Sequence, residues 1–352
     1  MVRLDLRRFV IASLLLPLIA ANGCSFTKTA ATSDSPLATQ TDASLGKQIK
    51  VIATFLPVYL FTKAVAGDAA DVDILIKPGT EVHEYQSTPA DVQAIAQADV
   101  VVKNGLGIEE FLEDTIKSTE NPKLKVIDAS AGIEPIEEIS PTVAAGGEKG
   151  SNHDHDHDHA DEKGQGHDAT KEKDNEKANA HVHTGGNPHV WLDPILAKKQ
   201  VENIRDGLVA ADPANEPAYK ANAAAYIQKL SDLNNQFEQT LKPYRNRTFI
   251  TFHDAFPYLA KRYQLKQEAV VAIPEDQLSP NDVQETISTV KQFNVKALFS
   301  EPGVDNKLLT GISKDLGLKV YLLDSLESGQ LDPNYYFTTM QSNLKTLEMA
   351  FK

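Results

Sequence analysis

Cysteine is almost absent from this chain. Its 352 residues include one cysteine, Cys24, and one tryptophan, Trp191. A lone cysteine has no partner within the chain, so an intramolecular disulfide is excluded and the fold must rest on packed cores. The hydrophobic fraction of 41% is sufficient for such cores, and the length allows two domains of ordinary size.

Positive charge is also scarce. Lys and Arg number 35 against 49 Asp and Glu, which gives a net charge of −14 at pH 7. A protein that binds nucleic acid needs a basic face for the phosphates, and acidic residues dilute every lysine cluster of this chain. We therefore expect no nucleic-acid partner, and cationic or neutral ligands instead.

The chain also lacks an apolar run at its start that is long enough to cross a membrane. The run from Phe9 to Ala21 follows several arginines and is shorter than the roughly 20 residues that a spanning helix needs. Residues 1–23 are therefore predicted to be an export signal. The segment before Cys24 resembles a bacterial lipoprotein signal, with Ala21 where Leu is commonest, and simple secretion is the alternative. We expect a lipidated Cys24, a flexible tether over residues 24–47 and a periplasmic protein that meets the membrane only through its lipid.

Histidine is concentrated in one part of the chain. Residues 151–189 hold eight of the ten histidines, and from His153 to His159 they alternate with aspartate. Neutral imidazole binds zinc, copper and nickel, and this alternation offers many partial ligand sets without fixing one geometry. Because segment 148–184 has few apolar residues, we expect a loop that is disordered without metal and gathers metal weakly. The candidate weak ligands are His153, His155, His157, His159, His167, His181 and His183.

From residue 50 onward, short apolar runs alternate with helical patterns. This alternation predicts parallel sheets and an α/β fold class. The segment TPADVQ at 88–93 has a counterpart in SPNDVQ at 279–284, each with Ser or Thr followed by Pro, which favours two related lobes. Strands are predicted near 51–54, 72–76, 100–103, 125–127, 248–252, 269–273, 297–299 and 319–323, and helices of the first half near 58–66, 90–97 and 108–117.

A long helix is predicted between the two halves. The run from Asn215 to Leu241 contains no Gly, and its apolar residues recur at three- and four-residue spacings. We therefore predict two four-stranded (βα)4 lobes, at residues 48–212 and 244–352, joined by one rigid helix within 213–243. A metal site is expected in the cleft between the lobes.

Three histidines outside the His- and Asp-rich segment 148–184, called the acidic tract below, lie at predicted strand or helix ends. His83 follows the second predicted strand, His253 follows strand 248–252, and His189 precedes the Asp193-Pro194 helix start. In open α/β sheets, ligands bind beyond the carboxyl ends of the strands. Three imidazoles with up to two carboxylates at one crevice predict a tetrahedral metal site.

Two carboxylates follow strands of the second half and could complete this site. Glu301 comes after strand 297–299, and Asp324 comes after strand 319–323. We expect Glu301 to orient a ligand from behind instead of binding the metal. The fourth position is open between Asp324, Glu301 and water.

Several of these segments resemble the zinc-specific solute-binding lipoproteins of bacterial ABC importers. The resemblance covers nearly everything from about residue 48 to the end, and it implies two α/β lobes bridged by one helix. It further implies a Zn²⁺ site formed by His83, His189 and His253, with Asp324 at the fourth position. A membrane permease with a cytoplasmic ATPase is the implied partner. The matching segments are PGTEVHEY at 78–85, NPHVWLDP at 187–194, TFHDAFPY at 251–258, and Glu301-Pro302 with Asp324.

We therefore expect a monomeric, high-affinity receptor that captures Zn²⁺ outside the cytoplasmic membrane and delivers it to a permease. Three imidazoles suit Zn²⁺ better than Mn²⁺, which prefers oxygen ligands. A manganese receptor of the same family is the nearest alternative, followed by a surface metal-storage or adhesion protein. We expect no enzyme, because the sequence shows neither a His-Glu-x-x-His helix nor a nucleophile elbow.

Overall fold

The computed structural model describes residues 48–136, 186–271, 280–293, 295, 297–303 and 307–352. The residues from Gly46 to Lys352 belong to one compact unit. The predicted signal, the tether with Cys24, and the acidic tract with its seven candidate histidines lie outside the described residues.

The first half forms a parallel four-stranded sheet in the order β2-β1-β3-β4. The central strand β1 aligns its Val51 with Val72 of β2 on one side and with Val100 of β3 on the other. Helices alternate with the strands, as parallel pairing requires. The elements are β1 Lys50–Ala53, α1 Leu56–Ala66, β2 Asp71–Ile74, α2 Pro89–Ala96, β3 Val100–Lys103, α3 Leu112–Ser118, β4 Lys125–Asp128 and α4 Pro194–Ala211.

The second half repeats this topology in a sheet of order β6-β5-β7-β8, also entirely parallel. The predicted α/β class with two four-stranded parallel sheets is thus confirmed. The elements are α5 Glu216–Leu241, β5 Thr248–His253, α6 Pro257–Arg262, β6 Lys266–Val271, α7 Pro280–Gln292, β7 Ala297–Ser300, α8 Lys307–Leu316, β8 Lys319–Leu322 and α9 Tyr335–Phe351.

The two matching sequence segments begin equivalent helices. In α2, the Thr88 hydroxyl accepts a hydrogen bond from the Asp91 amide, and the Asp91 carboxylate accepts one from the Thr88 amide. Pro89 occupies the first helical turn, where its missing N–H costs nothing. Helix α7 begins at Pro280, the counterpart of Pro89.

The long helix α5 is the predicted connection between the halves. At a rise of 1.5 Å per residue its 26 residues extend about 39 Å. It packs on α1 and α4 of the first half and on α9 of the second. The apolar positions that predicted the helix, Tyr226, Leu230, Leu233, Phe237 and Leu241, are all buried. One hydrophobic core therefore runs from the first sheet through α5 to the second.

Two predicted elements are displaced in the structure. Helix α3 begins at Leu112 instead of near residue 108, because Gly105 and Gly107 have φ angles of 86° and 83° and hold the preceding segment in turns. Strand β6 begins at Lys266 instead of near residue 269, because backbone pairing with β5 extends through polar residues that apolar patterning overlooks.

Candidate metal centre

Four side chains converge at one point of the described structure: His83, His189, His253 and Glu327. One ligand atom from each lies within 4.8 Å of those from the other three. The Nε2 atoms of His189 and His253 are 3.3 Å apart. Oε1 of Glu327 lies 3.8, 3.5 and 3.9 Å from the Nε2 atoms of His83, His189 and His253.

These separations fit a tetrahedral zinc site. Zn–N distances of 2.0–2.1 Å at tetrahedral angles place neighbouring ligand atoms about 3.3–3.4 Å apart. The His189–His253 pair already has this spacing, and the carboxylate oxygen lies within about 0.6 Å of it. Small side-chain movements would thus bring all four ligand atoms into the sphere of one ion.

The strand ends place these residues together. His253 is the last residue of β5, while His83 lies in the loop after β2 and Glu327 in the loop after β8. His189 precedes the short 3-10 turn that leads into α4. The imidazoles are almost fully buried, and the Glu327 side chain is 15% exposed. The site is therefore largely shielded from water, and Glu327 is the most exposed of the four side chains.

The charges of the site suit a divalent cation. Burial would raise the pKa of Glu327, but its contacts with His189 and His83 hold the pKa well below its usual range. Burial lowers the pKa of His189 to about 3, so its imidazole is neutral and can bind a metal. His189 therefore offers a neutral nitrogen donor beside the negatively charged carboxylate of Glu327.

Glu301, the residue after β7, lies behind His253. Its Oε1 is 2.5 Å from Nδ1 of His253, on the opposite side of the ring from the cluster. Burial alone would lower the pKa of His253, but the Glu301 carboxylate outweighs it and the pKa rises to about 9. The carboxylate holds the proton on Nδ1 and leaves Nε2 pointing at the other ligands.

Asp324 does not join the cluster, which corrects the position that the resemblance implied for it. Its Oδ1 accepts a hydrogen bond from the Leu326 amide at 2.7 Å, and burial raises the pKa of the carboxyl to about 6. The Asp324 side chain folds back on its own loop. Leu326 has φ 66°, and this turn brings Glu327 to the histidines instead. A second carboxylate three residues beyond Asp324 was the available sequence signal.

A buried polar network supports the loop that carries His189. The Glu109 carboxylate accepts hydrogen bonds from the Thr54 hydroxyl and from the amides of Asn104 and Gly105. Burial raises the pKa of Glu109 to about 7. Asn104 Nδ2 in turn donates to the Pro188 carbonyl at 3.1 Å, next to His189. Sequence reasoning missed this network, because its members are far apart in the chain.

The turn after His189 is also bonded to the second half of the protein. Trp191 is completely buried and lies beside the His189 ring, with the ring centroids 5.1 Å apart. The side-chain bonds that join the halves here are Trp191 Nε1 to the Ser325 carbonyl, Tyr336 Oη to the Trp191 carbonyl, and Arg262 Nε to Asp193 Oδ2, each at 2.8 Å. The halves are thus coupled directly beside the site.

In the part of the chain that the structure describes, no helix is both long and apolar enough to cross a membrane.

Comparison with known proteins identifies the relatives of this chain. The family model for the periplasmic zinc-uptake complex component A, ZnuA, matches residues 51–350. The high-affinity zinc uptake system protein ZnuA of Bacillus subtilis is 33% identical over 345 residues, which cover 97% of this chain and 95% of that protein.

A second relative is longer than this chain. The zinc-binding lipoprotein AdcA of Streptococcus pneumoniae is 32% identical over 308 residues, covering 86% of this chain and 56% of AdcA. The crystal structure of Zn(II)-bound AdcA from that species superimposes with a TM-score of 0.67 at 30% identity, over 86% of this chain and 58% of the other. The chain therefore spans little more than half the length of AdcA.

Proposed function

The chain belongs to the family of the periplasmic zinc-uptake complex component A, and from this premise we propose that it captures Zn²⁺ outside the cytoplasmic membrane and delivers it to an ABC importer. One observation carries the proposal: three imidazoles and one carboxylate converge with separations that fit tetrahedral zinc. The B. subtilis relative, similar along almost its full length, is a high-affinity zinc uptake protein.

His83, His189, His253 and Glu327 are the proposed zinc ligands. Three nitrogen donors and one oxygen donor favour Zn²⁺ over Mn²⁺, which prefers sites richer in oxygen. The Glu327 carboxylate offsets part of the ion's charge in a buried site, where an uncompensated charge would be costly. Glu301 holds the His253 ring for binding without contacting the ion.

The proposed partner is a membrane permease with a cytoplasmic ATPase, and the receptor is proposed to act as a monomer. The family is named as a component of an uptake complex, which supports the permease. The protein binds the ion and later releases it, with no chemical change in the ion. The four side chains serve as zinc ligands, and we propose no catalytic role for them.

A lipid anchor at Cys24 is the proposed means of attachment to the membrane. The cysteine follows the apolar run of the predicted signal, and AdcA of S. pneumoniae is named a lipoprotein. We expect a Cys24→Ser variant to move from the membrane fraction to the soluble fraction, because the thioether for the lipid can no longer form. Immunoblots of fractionated cells measure the shift. A wild type that is itself soluble would instead identify a simply secreted protein.

Zinc titration of a variant lacking residues 148–184 tests the proposed function. We expect one tight binding event to remain at its wild-type affinity and the weak events to disappear. The four cleft ligands are held by the fold, whereas an alternating His/Asp run fixes no single geometry. Calorimetry with a competing chelator resolves the tight event.

Other results of this titration would point to other functions. Loss of the tightest event on deletion would place the principal site in the tract and indicate metal storage. Tighter binding of Mn²⁺ than of Zn²⁺ by the deleted protein would identify a manganese receptor.

A further inference from the structure

The side-chain amide of Asn187 lies between two of the proposed ligands. Its Oδ1 is 3.0 Å from Nδ1 of His189 and accepts a hydrogen bond from the His189 backbone amide at 3.1 Å. Its Nδ2 donates to the carbonyl of Asp254, the residue after His253, at 2.7 Å. Asn187 is 3% exposed. A single buried amide therefore contacts the His189 ring and the end of the strand that carries His253.

Two backbone groups determine which way this amide points. The His189 backbone N–H can only donate, so it requires the oxygen of Asn187. The Asp254 carbonyl can only accept, so it requires the nitrogen. Reversing the amide would break both bonds and leave buried polar groups without partners, which is costly. The oxygen is consequently fixed towards the His189 ring.

The orientation of the amide dictates the tautomer of His189. An amide oxygen can only accept, so Nδ1 of His189 must carry the proton to complete the 3.0 Å contact. The Nε2 atom then keeps its lone pair and faces the Nε2 atom of His253 at 3.3 Å. In His253 the Nδ1 atom faces a carboxylate oxygen, Oε1 of Glu301, in place of an amide oxygen.

We propose that Asn187 is a positioning residue that fixes the Nδ1-protonated tautomer of His189 and ties that ring to the end of β5. The two Nε2 atoms are thereby held at the separation that zinc requires before the ion arrives. This proposal rests on the proposed function, because it takes His189 and His253 as ligands of zinc. It assigns to Asn187 a contribution to affinity without contact with the ion.

Three variants separate the two parts of this role. Asn187→Ala removes both the acceptor for Nδ1 and the donor to Asp254. Asn187→Asp keeps an oxygen that accepts from Nδ1 but loses the donor, and places its charge near the Asp254 carboxylate, 3.3 Å from Asn187 Nδ2. Asn203→Ala is the matched control, because the Asn203 amide likewise donates to the backbone of a distant segment, at the carbonyls of Ala129 and Ala131, but it lies outside the cluster.

The measurements are zinc affinity and the protonation of the His189 ring, both in protein without residues 148–184. Removing a group that orients a metal ligand weakens metal binding by about tenfold to a hundredfold, and we expect this loss for Asn187→Ala. Nitrogen NMR of the zinc-free protein should show the proton on Nδ1 in the wild type and in Asn187→Asp. Asn187→Ala should show both tautomers, and Asn203→Ala should match the wild type in both measurements.

Two results would overturn the proposal. One is wild-type zinc affinity in Asn187→Ala, and the other is a wild-type His189 ring that carries its proton on Nε2. If Asn187→Ala does not fold, Asn187→Asp decides the matter. Loss of zinc affinity in Asn187→Asp with an unchanged His189 tautomer supports the tie to β5, whereas wild-type zinc affinity refutes that tie. A wild type without zinc affinity would overturn the proposed function, whereas the NMR measurement on the zinc-free protein still decides the tautomer.

Discussion

Replacing His253 with Ala, in protein lacking residues 148–184, is expected to weaken zinc binding by about a hundredfold to a thousandfold. Structural zinc sites contribute about 10–16 kcal/mol, which corresponds to roughly 2.5–4 kcal/mol for each of four ligands. His253 supplies the proposed ligand atom from the second sheet, and its Nε2 atom already lies 3.3 Å from that of His189. Competition with a chelator of known affinity measures the loss.

Two causes of weaker zinc binding must be distinguished, the loss of a ligand and damage to the fold. The Ala variant leaves the Glu301 carboxylate buried without its partner, and an unpaired buried charge destabilises a protein strongly. His253→Asn is the second variant, because its amide nitrogen takes the position of Nδ1 and can still donate to Glu301, but it offers no imidazole. Lys266→Ala, at the exposed start of the neighbouring strand, is the control. Wild-type affinity in both His253 variants would exclude this residue as a ligand.

The positions of the three histidines could be predicted because parallel sheets follow a general rule. His253 ends β5, His189 precedes the turn into α4, and His83 lies in the loop that follows β2. The carboxyl ends of parallel strands meet along one edge, so the segments that follow them lie close together. The ends of the strands can be located in the sequence, because each short apolar run ends where its strand ends. No knowledge of side-chain orientation was needed to expect His83, His189 and His253 near one crevice.

Glu327 could not be predicted in this way, because its position depends on a backbone turn. The loop after β8 offers two carboxylates, and the first of them directly follows the predicted strand. A positive φ angle at Leu326, in a residue that rarely adopts one, decides which carboxylate faces the histidines. The Leu326 side chain is completely buried, and its packing offsets the strain of the positive φ angle. Apolar patterning contains no information on either feature.

The role of Asn187 was inaccessible for a different reason. Its side-chain orientation follows from the His189 amide, two residues away, and from the Asp254 carbonyl, 67 residues away. Sequence spacing brings the first partner within reach, but only the folded chain brings the second. The same holds for Asn104, which reaches the Pro188 carbonyl across 84 residues. The orientation of both side chains therefore depends on partners that sequence spacing does not reveal.

The second large effect on zinc affinity is expected for Glu327, one of the two carboxylates in the loop after β8. In protein lacking residues 148–184, Glu327→Ala should weaken zinc binding by about a hundredfold or more, because a charged ligand is lost from a buried site. Asp324→Ala should leave zinc affinity almost unchanged. It should lower the free energy of unfolding by about 1 kcal/mol, since its hydrogen bond to the Leu326 amide is lost.

The double variant decides whether Asp324 can replace Glu327. If the two carboxylates act independently, the effects of the single substitutions on zinc affinity should add in the double variant. If Asp324 swings into the site when Glu327 is absent, Glu327→Ala alone will be mild and the double variant far weaker than the sum. Glu327→Gln is the matched control, because it keeps the shape and one oxygen but removes the charge that faces the imidazoles. An Asp324→Ala variant that loses as much zinc affinity as Glu327→Ala, with its fold intact, would return the fourth position to Asp324.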